Sequence, residues 1–211
     1  MKEQRIPAVL VLADGATFPG YAFGAERTVF GEAVFTTAMT GYQETMTDPS
    51  YHRQIVVTTA PQIGNTGWND EDNESHNNQI WVAGLVIRDL AKRVSNWRAE
   101  RSLEEEMASQ SVVGIYGVDT RTVVRHLRTE GSIAAGIFTG DAARASVDTL
   151  VARVNEQPSM AGADLADEVS TDKPYTVSAK GEKRYTVVAY DMGIKSATPG
   201  HFADRGIETI V

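Results

Sequence analysis

Short apolar runs rich in β-branched residues dominate the first sixty positions of the chain. Two of these runs, residues 8–13 and 17–23, are separated by Asp14-Gly15. Because an Asp-Gly pair tolerates the positive φ angles of a tight primed turn, the pattern predicts a β-hairpin. Similar runs at residues 29–37 and 54–59 predict two further strands.

The middle of the chain alternates between helix and strand patterns. Ser102 and Glu105 have the spacing of a capping box, which predicts a short helix to about Gln110. Asp119 can cap a second helix, which Gly131 would end. The other predicted elements are strands at 79–87 (with both faces covered), 112–116 and 133–138, and an amphipathic helix with Val147, Leu150, Val151 and Val154 on one face.

The last part of the chain predicts a change of domain. Residues 167–183 are polar and interrupted by Pro and Gly, which is typical of a linker between a domain at 1–166 and a second unit at 184–211. In that unit, residues 185–190 and 207–211 predict strands that flank a helix with Thr198 as N-cap and proline next to it.

We therefore expect a mixed α/β (α+β) fold. Its N-terminal domain is rich in β-hairpins and has α/β layers, and a single β-α-β unit follows at 184–211. Because one such unit is too small to bury its own faces, we expect these residues to open a larger domain and the chain to be a fragment.

Composition and charge narrow the classes of function. The chain has 211 residues, of which 42% are hydrophobic and 23% charged, as in globular proteins. Its formal net charge of −8 disfavours nucleic acid as a partner. The absence of cysteine excludes a cysteine nucleophile and thiolate metal sites. No apolar stretch approaches the roughly 18–20 residues of a membrane helix, and no signal peptide is apparent, so we expect a cytoplasmic protein with no membrane partner.

Asp48, Ser50 and His52 alternate in a way that suggests a hydrolase triad. On a strand, however, side chains two residues apart lie about 6–7 Å from each other, whereas a nucleophile and its base must approach to about 3 Å. Residues 47–50 are instead typical of a turn, because Asp can bond to its own backbone and Pro presets φ. We expect this turn to position Ser50 for another purpose.

The other chemistry-bearing residues are weaker candidates. Residues 68–76 contain four carboxylates and a histidine, but they lack the glycine and distal glutamate of a calcium loop, so we expect a solvated acidic loop and no metal. Residues 191–193 follow a predicted strand, where ligand loops often lie. His126 is expected at the surface, and His201 has no identifiable partner. These residues by themselves do not identify a reaction that the protein catalyses.

A series of sequence words resembles the small, glutamine-hydrolysing subunit family of carbamoyl-phosphate synthase. The resemblance begins near residue 8, keeps its order to the last residue, and is strongest over residues 31–51. The words include Met39-Thr-Gly-Tyr-Gln-Glu44, Thr47-Asp-Pro-Ser-Tyr51, Gln54-Ile-Val-Val57, Ile63-Gly-Asn-Thr-Gly67, Gly84-Leu-Val-Ile-Arg-Asp-Leu90, Ser95-Asn-Trp-Arg98, Gly117-Val-Asp-Thr-Arg121 and Val187-Val-Ala-Tyr-Asp-Met-Gly-Ile-Lys195. Residues 196–199 depart from many relatives and are expected to shift a helix start.

The resemblance implies an N-terminal domain that docks onto a large synthetase subunit, followed by the start of a class I glutamine amidotransferase domain. In the family, a cysteine activated by histidine and glutamate hydrolyses L-glutamine, and ammonia passes to the large subunit. There, ATP, Mg²⁺ and bicarbonate are used to make carbamoyl phosphate for arginine and pyrimidine synthesis. No cofactor and no catalytic residue is expected in this chain, which should be inactive alone because the nucleophile would lie beyond Val211.

The resemblance transfers one site residue. Ser50 matches the family's serine that contacts glutamine, and a hydroxyl and backbone amide on a rigid turn suit recognition of an α-carboxylate or ammonium group. Two alternatives stay open: a stand-alone protein-interaction domain without a catalytic role, and a hydrolase based on Ser50 and His52.

Overall fold

The computed structural model describes residues 5–211, so the first four residues of the predicted domain at 1–166 lie outside the described residues. Eighteen elements follow in chain order: β1 Pro7–Leu12, β2 Thr17–Gly24, β3 Val29–Thr36, α1 Tyr42–Thr47, a 3₁₀ turn Pro49–Tyr51, β4 Gln54–Thr58, β5 Gly84–Val86, α2 Leu103–Ser109, β6 Val113–Tyr116, α3 Thr120–Glu130, β7 Ile133–Thr139, a 3₁₀ turn Gly140–Arg144, α4 Val147–Asn155, α5 Leu165–Val169, β8 Thr176–Val177, β9 Tyr185–Val188, α6 Ala197–Ala203 and β10 Ile207–Ile210. The mixed α/β class is confirmed.

Seven strands close into a barrel in the order β1-β2-β6-β5-β4-β3-β7. The ladders around β4 and β5 are parallel, whereas β1, β2 and β7 pair antiparallel with their neighbours. The predicted hairpin is present as β1 and β2, with Leu10 opposite Phe18. The closed arrangement takes the place of the expected layers, because β7 pairs with both β1 and β3.

Alternation along the strands divides the core into an inner and an outer part. On β1, Leu10 and Leu12 belong to the main core, which α3 also joins through Val123 and Leu127. Val11, between them, belongs to a separate cluster with Leu150 of α4. A third cluster lies beneath α1 and α2 and contains Met46, Val56, Trp68, Leu85, Ile87 and Met107.

The predicted strand at 79–87 is shorter than expected. Only Gly84–Val86 forms a ladder, and all three residues are buried, as predicted. Upstream, the amide of Ile80 donates to Gln110 Oε1 at 2.8 Å and the amide of Trp81 donates to the Met46 carbonyl at 2.9 Å. These partners satisfy the backbone without a neighbouring strand.

The C-terminal residues form a second sheet of three strands in the order β8-β10-β9. β9 and β10 are parallel and flank α6, so the predicted β-α-β unit is present. The segment predicted as a linker, 167–183, contains the end of α5 and all of β8, which pairs with β10. The domain limits at 166 and 184 stay predictions.

The start of α6 differs from the prediction. The helix runs from Ala197, with Ser196 as its N-cap residue, so Thr198 is inside the first turn and does not cap it. Glu74 replaces the cap: its carbonyl accepts the Ser196 amide at 2.8 Å and its carboxylate accepts the Ala197 amide at 3.2 Å. A partner about 120 positions away therefore satisfies two amides at the start of this helix.

Among residues 5–211, no helix combines the length and the apolar character that crossing a membrane requires.

Candidate functional site

The candidate site is the turn that carries Ser50, between α1 and β4. Residues 41–51 begin with α1, whose N-cap residue Gly41 has a φ of +79°. A φ in this left-handed region favours glycine. Met46 and Thr47 are buried on this helix, which fixes where the following turn begins.

Asp48 shapes the turn itself. Its Oδ1 accepts the backbone amide of Ser50 at 2.9 Å, and Pro49 stands at the first position of the 3₁₀ turn. The predicted turn at 47–50 is thus confirmed, with the predicted Asp and Pro chemistry. Ser50 is exposed, and its hydroxyl makes no hydrogen bond with any residue from 5 to 211. The Ser50 amide is already donated to Asp48, so it is not free to recognise a ligand as expected, whereas the hydroxyl is.

The second oxygen of Asp48 binds a residue of the C-terminal sheet unit. Lys195 Nζ lies 2.6 Å from Asp48 Oδ2, and this hydrogen bond raises the pKa of Lys195 above its ordinary value. The Asp48 side chain is almost fully buried, whereas that of Lys195 is 48% exposed. One carboxylate therefore both holds the Ser50 turn and fixes it to the loop after β9.

The loop after β9 is built by Asp191. Asp191 Oδ1 accepts the amides of Gly193 and Ile194, both at 2.9 Å, and Oδ2 accepts the amide of Thr171 at 2.9 Å. The carboxylate proposed from sequence as part of a ligand loop thus makes three backbone hydrogen bonds. These contacts order the loop that leads to Lys195.

The acidic loop at 68–76 keeps Asp70 and Glu71 exposed to solvent, as expected, but other residues of the loop anchor it to the fold. Gln43 of α1 donates to the Asn69 carbonyl and accepts the Asn69 amide, while Asn69 and Ser75 are buried. Arg98 forms ion pairs with Glu71 at 2.9 Å and with Asp72 at 2.7 Å. Partial burial raises the pKa of Asp72, but the hydrogen bond from Asn69 and then the Arg98 pair outweigh it, so the net pKa of Asp72 is lowered. No group of three or more His, Cys, Asp or Glu side chains within residues 5–211 is arranged to hold a metal ion.

The triad hypothesis is wrong, because its three members have separate environments. Asp48 pairs with Lys195, Ser50 is exposed, and His52 Nε2 lies 2.7 Å from Glu168 Oε2. Glu168 also binds Arg53, and the hydrogen bond from His52 is the main cause that lowers the pKa of Glu168. No acid–base pair reaches the Ser50 hydroxyl from within the described chain.

A cavity of about 670 Å³ lies beside the site, between the barrel and residues 167–175. His52 and Trp81 line one side in an edge-to-face pair, and His76 stacks on Tyr175 with ring centroids 4.0 Å apart. The sequence did not predict the His76–Tyr175 stack or the Asp48–Lys195 contact, because each joins segments more than 90 positions apart.

The remaining histidines lie away from the site. His126 on α3 hydrogen-bonds to Asp14 in the β1–β2 turn. Partial burial raises the pKa of Asp14, but the amide of Ala16 and then His126 outweigh it, so the net pKa of Asp14 is lowered. His201 on α6 lies 3.9 Å from Asp204, one turn along the same helix. Neither contact involves the Ser50 turn.

Comparison with known proteins identifies the family. The family model described as "Carbamoyl-phosphate synthase small chain, CPSase domain" matches residues 10–137. The chain belongs to the carbamoyl-phosphate synthase small chain family. The match covers the whole barrel from β1 to β7 apart from a few terminal positions, and it includes the Ser50 turn.

Curated members of this family extend the similarity over nearly the whole chain. The carbamoyl phosphate synthase small chain of Corynebacterium efficiens is 69% identical over 206 residues, 98% of this chain and 52% of that protein. The small chain of Corynebacterium diphtheriae is 69% identical over 99% of this chain and 55% of its own length. The small chain of Streptomyces coelicolor is 58% identical over 98% of this chain and 54% of its own length. The chain thus spans about half the length of the curated relatives it matches.

A weak likeness to one solved structure adds nothing to this assignment. An aminopeptidase from Aneurinibacillus sp. strain AM-1 covers 100% of this chain and 48% of its own, at 13% identity and a TM-score of 0.37. That score is too low to support a common fold.

Proposed function

We propose that this chain is part of the small subunit of a glutamine-dependent carbamoyl-phosphate synthase. In the complete enzyme, the small subunit would hydrolyse L-glutamine and deliver ammonia to the large subunit. The large subunit would use ATP, Mg²⁺ and bicarbonate to form carbamoyl phosphate, and no cofactor is proposed for the present chain. The observation that supports this most strongly is 58–69% identity to small chains over nearly the whole sequence.

The second sheet is proposed to be the beginning of a class I amidotransferase domain at 184–211, after a linker at 167–183 and the docking domain at 1–166. Two features of the second sheet support this proposal. β9 is an edge strand that pairs only with β10 among the described strands. Its Tyr185 and Val188 side chains are exposed, although large apolar side chains on a sheet face usually pack against another layer.

The glutaminase nucleophile is proposed to belong to residues outside these 211. A cysteine thiolate attacks the glutamine amide in the family that the sequence resembles, and this chain contains no cysteine. The 211-residue chain alone should therefore release no glutamate from glutamine. A continuous assay for glutamate tests this, and release above that of a heat-treated sample would contradict the proposal.

Ser50 is proposed to bind glutamine through its hydroxyl. The hydroxyl is exposed on a turn whose backbone is fixed by Asp48, and Asp48 is fixed in turn by Lys195. A hydroxyl held in this way can orient the carboxylate or ammonium group of an amino acid without rearranging the turn.

The test replaces Ser50 by alanine in the full-length small subunit bound to its large subunit. Loss of one hydrogen bond to a charged group, about 1.5–3 kcal/mol, should raise the KM for glutamine at least about tenfold at similar kcat, and should leave synthesis from free ammonia unchanged. Ser132→Ala, at an exposed position before β7, is the matched control and should change neither constant. A collapse of kcat with unchanged KM would instead assign Ser50 a role in the chemical step.

The alternative of a stand-alone interaction domain is not favoured. The curated relatives compared above are all small chains of the synthase. A protein that had kept only the docking role would be expected to lose the Ser50 turn and its contacts, which this chain retains.

A further inference from the structure

Glu168 of α5 binds the two residues that follow the Ser50 turn. Its Oε2 lies 2.7 Å from His52 Nε2. Its two oxygens also accept two nitrogens of Arg53, Nε at 3.1 Å and Nη2 at 2.5 Å. A guanidinium that meets both oxygens of one carboxylate makes a planar contact that is stronger and more directional than a single hydrogen bond. We call these three contacts the Glu168 clasp.

The Glu168 clasp holds the end of the turn, which the Asp48 carboxylate does not reach. Asp48 fixes the start of the turn by accepting the Ser50 amide at 2.9 Å. His52 ends the turn, because its amide donates to the Pro49 carbonyl at 3.0 Å. The His52 ring also packs edge-to-face on Trp81, with ring centroids 5.3 Å apart. The clasp therefore binds the residue with which the turn closes.

Arg53 leads the chain from the turn into β4 with an unfavourable backbone conformation. Its φ is +60°, in the left-handed region that residues other than glycine rarely adopt. Such a conformation costs free energy and persists only where its surroundings fix it. The Arg53 carbonyl accepts the Glu32 amide at 3.2 Å, and its guanidinium is held by Glu168. The clasp thus contributes to holding the backbone directly after the Ser50 turn.

The residues after Glu168 connect the clasp to the loop that Asp191 builds. We call residues 168–175 the strap. The Ser170 hydroxyl donates to the Asp191 carbonyl at 2.6 Å, and the Thr171 amide donates to Asp191 Oδ2 at 2.9 Å. The strap is therefore fixed at its start by the clasp and two or three residues later by the loop after β9.

The strap, the Ser50 turn and the loop after β9 also touch directly at Gly193. A Cβ atom at Gly193 would lie 3.0 Å from Val169 Cγ2 and 3.1 Å from Pro49 Cβ, and Gly193 has a φ of +90°. These distances are shorter than most Cβ contacts, so the three segments are closely packed. A shift of the strap would therefore be transmitted to the residue that precedes Ser50.

We infer that Glu168 is a positioning residue for glutamine binding, because through His52 and Arg53 it fixes the end of the turn from which the Ser50 hydroxyl meets the substrate. Glu168 acts through the turn and not by contact with glutamine. Since residues on both sides of Ser50 are held, less conformational entropy is lost when the hydroxyl binds. This inference rests on the proposed function of Ser50.

The test exchanges the charges of the clasp in the full-length small subunit bound to its large subunit. Loss of an exposed ion pair weakens a linked equilibrium by up to about fivefold, and repulsion between like charges adds to this. Glu168→Arg should therefore raise the KM for glutamine at least about fivefold at similar kcat. Glu168→Arg combined with Arg53→Glu restores an ion pair of opposite sense and should return KM to within about twofold of wild type.

Two comparisons show that the effect belongs to the turn. Asp204→Arg is the matched control, since Asp204 forms an exposed ion pair with Lys180 at 2.7 Å away from the turn, and it should leave KM unchanged. Hydrogen exchange of the amides of residues 50–52, which are bonded within the turn, provides a readout without substrate. These amides should exchange faster in Glu168→Arg and at the wild-type rate in the charge exchange.

The outcomes separate this inference from the proposed role of Ser50. If Ser50→Ala raises KM but Glu168→Arg stays within twofold of wild type, only this inference fails. If Ser50→Ala leaves KM unchanged, both fail. A high KM that the charge exchange does not lower, or a fall in kcat in place of a rise in KM, would also overturn the positioning role. Should Glu168→Arg not fold, Glu168→Gln decides: a rise in KM of at least about twofold supports the inference, and an unchanged KM overturns it.

Discussion

Asparagine at position 48 should separate the two interactions that the Asp48 carboxylate makes. Asparagine retains a side-chain oxygen that can accept the Ser50 amide, as Asp48 Oδ1 does at 2.9 Å. It loses the negative charge that pairs with Lys195 at 2.6 Å. Alanine loses both interactions. The difference in free energy of unfolding between the two variants therefore measures the contribution of the bond to the Ser50 amide. The difference between Asp48→Asn and wild type measures the contribution of the ion pair.

The expected magnitudes follow from exposure and from the cap. Because the Lys195 side chain is 48% exposed, solvent screens the pair and limits its contribution to about 0.5 kcal/mol. The bond from Asp48 to the Ser50 amide resembles an N-cap, whose loss costs about 1 kcal/mol. Asp48→Asn should thus lower the free energy of unfolding by about 0.5 kcal/mol, and Asp48→Ala should lower it by about 1.5 kcal/mol. In a protein of this size, the corresponding losses in Tm are about 1–2 °C and 3–6 °C.

Urea unfolding followed by circular dichroism provides the assay, and a double-mutant cycle with Lys195→Met isolates the pair. The cycle should give a coupling near 0.5 kcal/mol for Asp48→Asn. Lys180→Met is a control, since Lys180 pairs with Asp204 at 2.7 Å and has no contact with the turn. If Asp48→Asn is as unstable as Asp48→Ala, the bond to Ser50 contributes nothing and the reasoning is refuted.

Two further predictions concern the core. Gly114 on β6 faces the Phe23 ring, and an added Cβ would lie 2.3 Å from Phe23 Cε1, so Gly114→Ala should lower the free energy of unfolding by about 1–3 kcal/mol. The control Gly200→Ala, in a helix with open space around the position, should leave stability unchanged or raise it slightly. Equal thermal shifts of the two variants would contradict this. Burial raises the pKa of Tyr42 from 10.0 to about 12, so the folded state favours the neutral phenol. The contribution of Tyr42 to stability is therefore complete below pH 10 and should fall as the pH rises towards 12. Urea unfolding at pH 8 and pH 11 should therefore show a smaller advantage of wild type over Tyr42→Phe at the higher pH, and a constant advantage would contradict the assignment.

The elements that the sequence predicts well depend on neighbouring residues. The β1–β2 hairpin forms around Asp14-Gly15, although only Gly15, and not Asp14, has the positive φ expected of the turn, at +94°. Both bonds of the capping box between Ser102 and Glu105 are present, at 3.2 Å and 2.8 Å. These interactions join residues at most three positions apart, so the local sequence contains all the chemistry that decides them.

The features that escaped prediction depend on distant residues or lack a local signal. α1 is six residues long and begins at Tyr42, and its N-cap residue Gly41 has no side chain to cap it, so nothing in the local sequence marks its start. Closure of the barrel needs β7 to pair with β1, from which it is separated by about 120 positions. The Ser50 turn could be predicted, but its partner Lys195 could not, because only the folded chain brings the two together.

The acidic loop explains why the geometry around Ser50 should survive a single change. Thr47, next to Asp48, accepts the Glu74 amide at 2.9 Å through its hydroxyl, and Glu74 in turn accepts two amides at the start of α6. The Ser50 turn is therefore joined to the C-terminal unit by two independent routes, one through Lys195 and one through Glu74. Because the Glu74 route runs through the Thr47 hydroxyl and Glu74 and does not involve the Asp48 carboxylate, it does not depend on the charge of Asp48. The expected cost of Asp48→Asn is thus a loss of stability, while the position of the Ser50 hydroxyl is maintained by the second route.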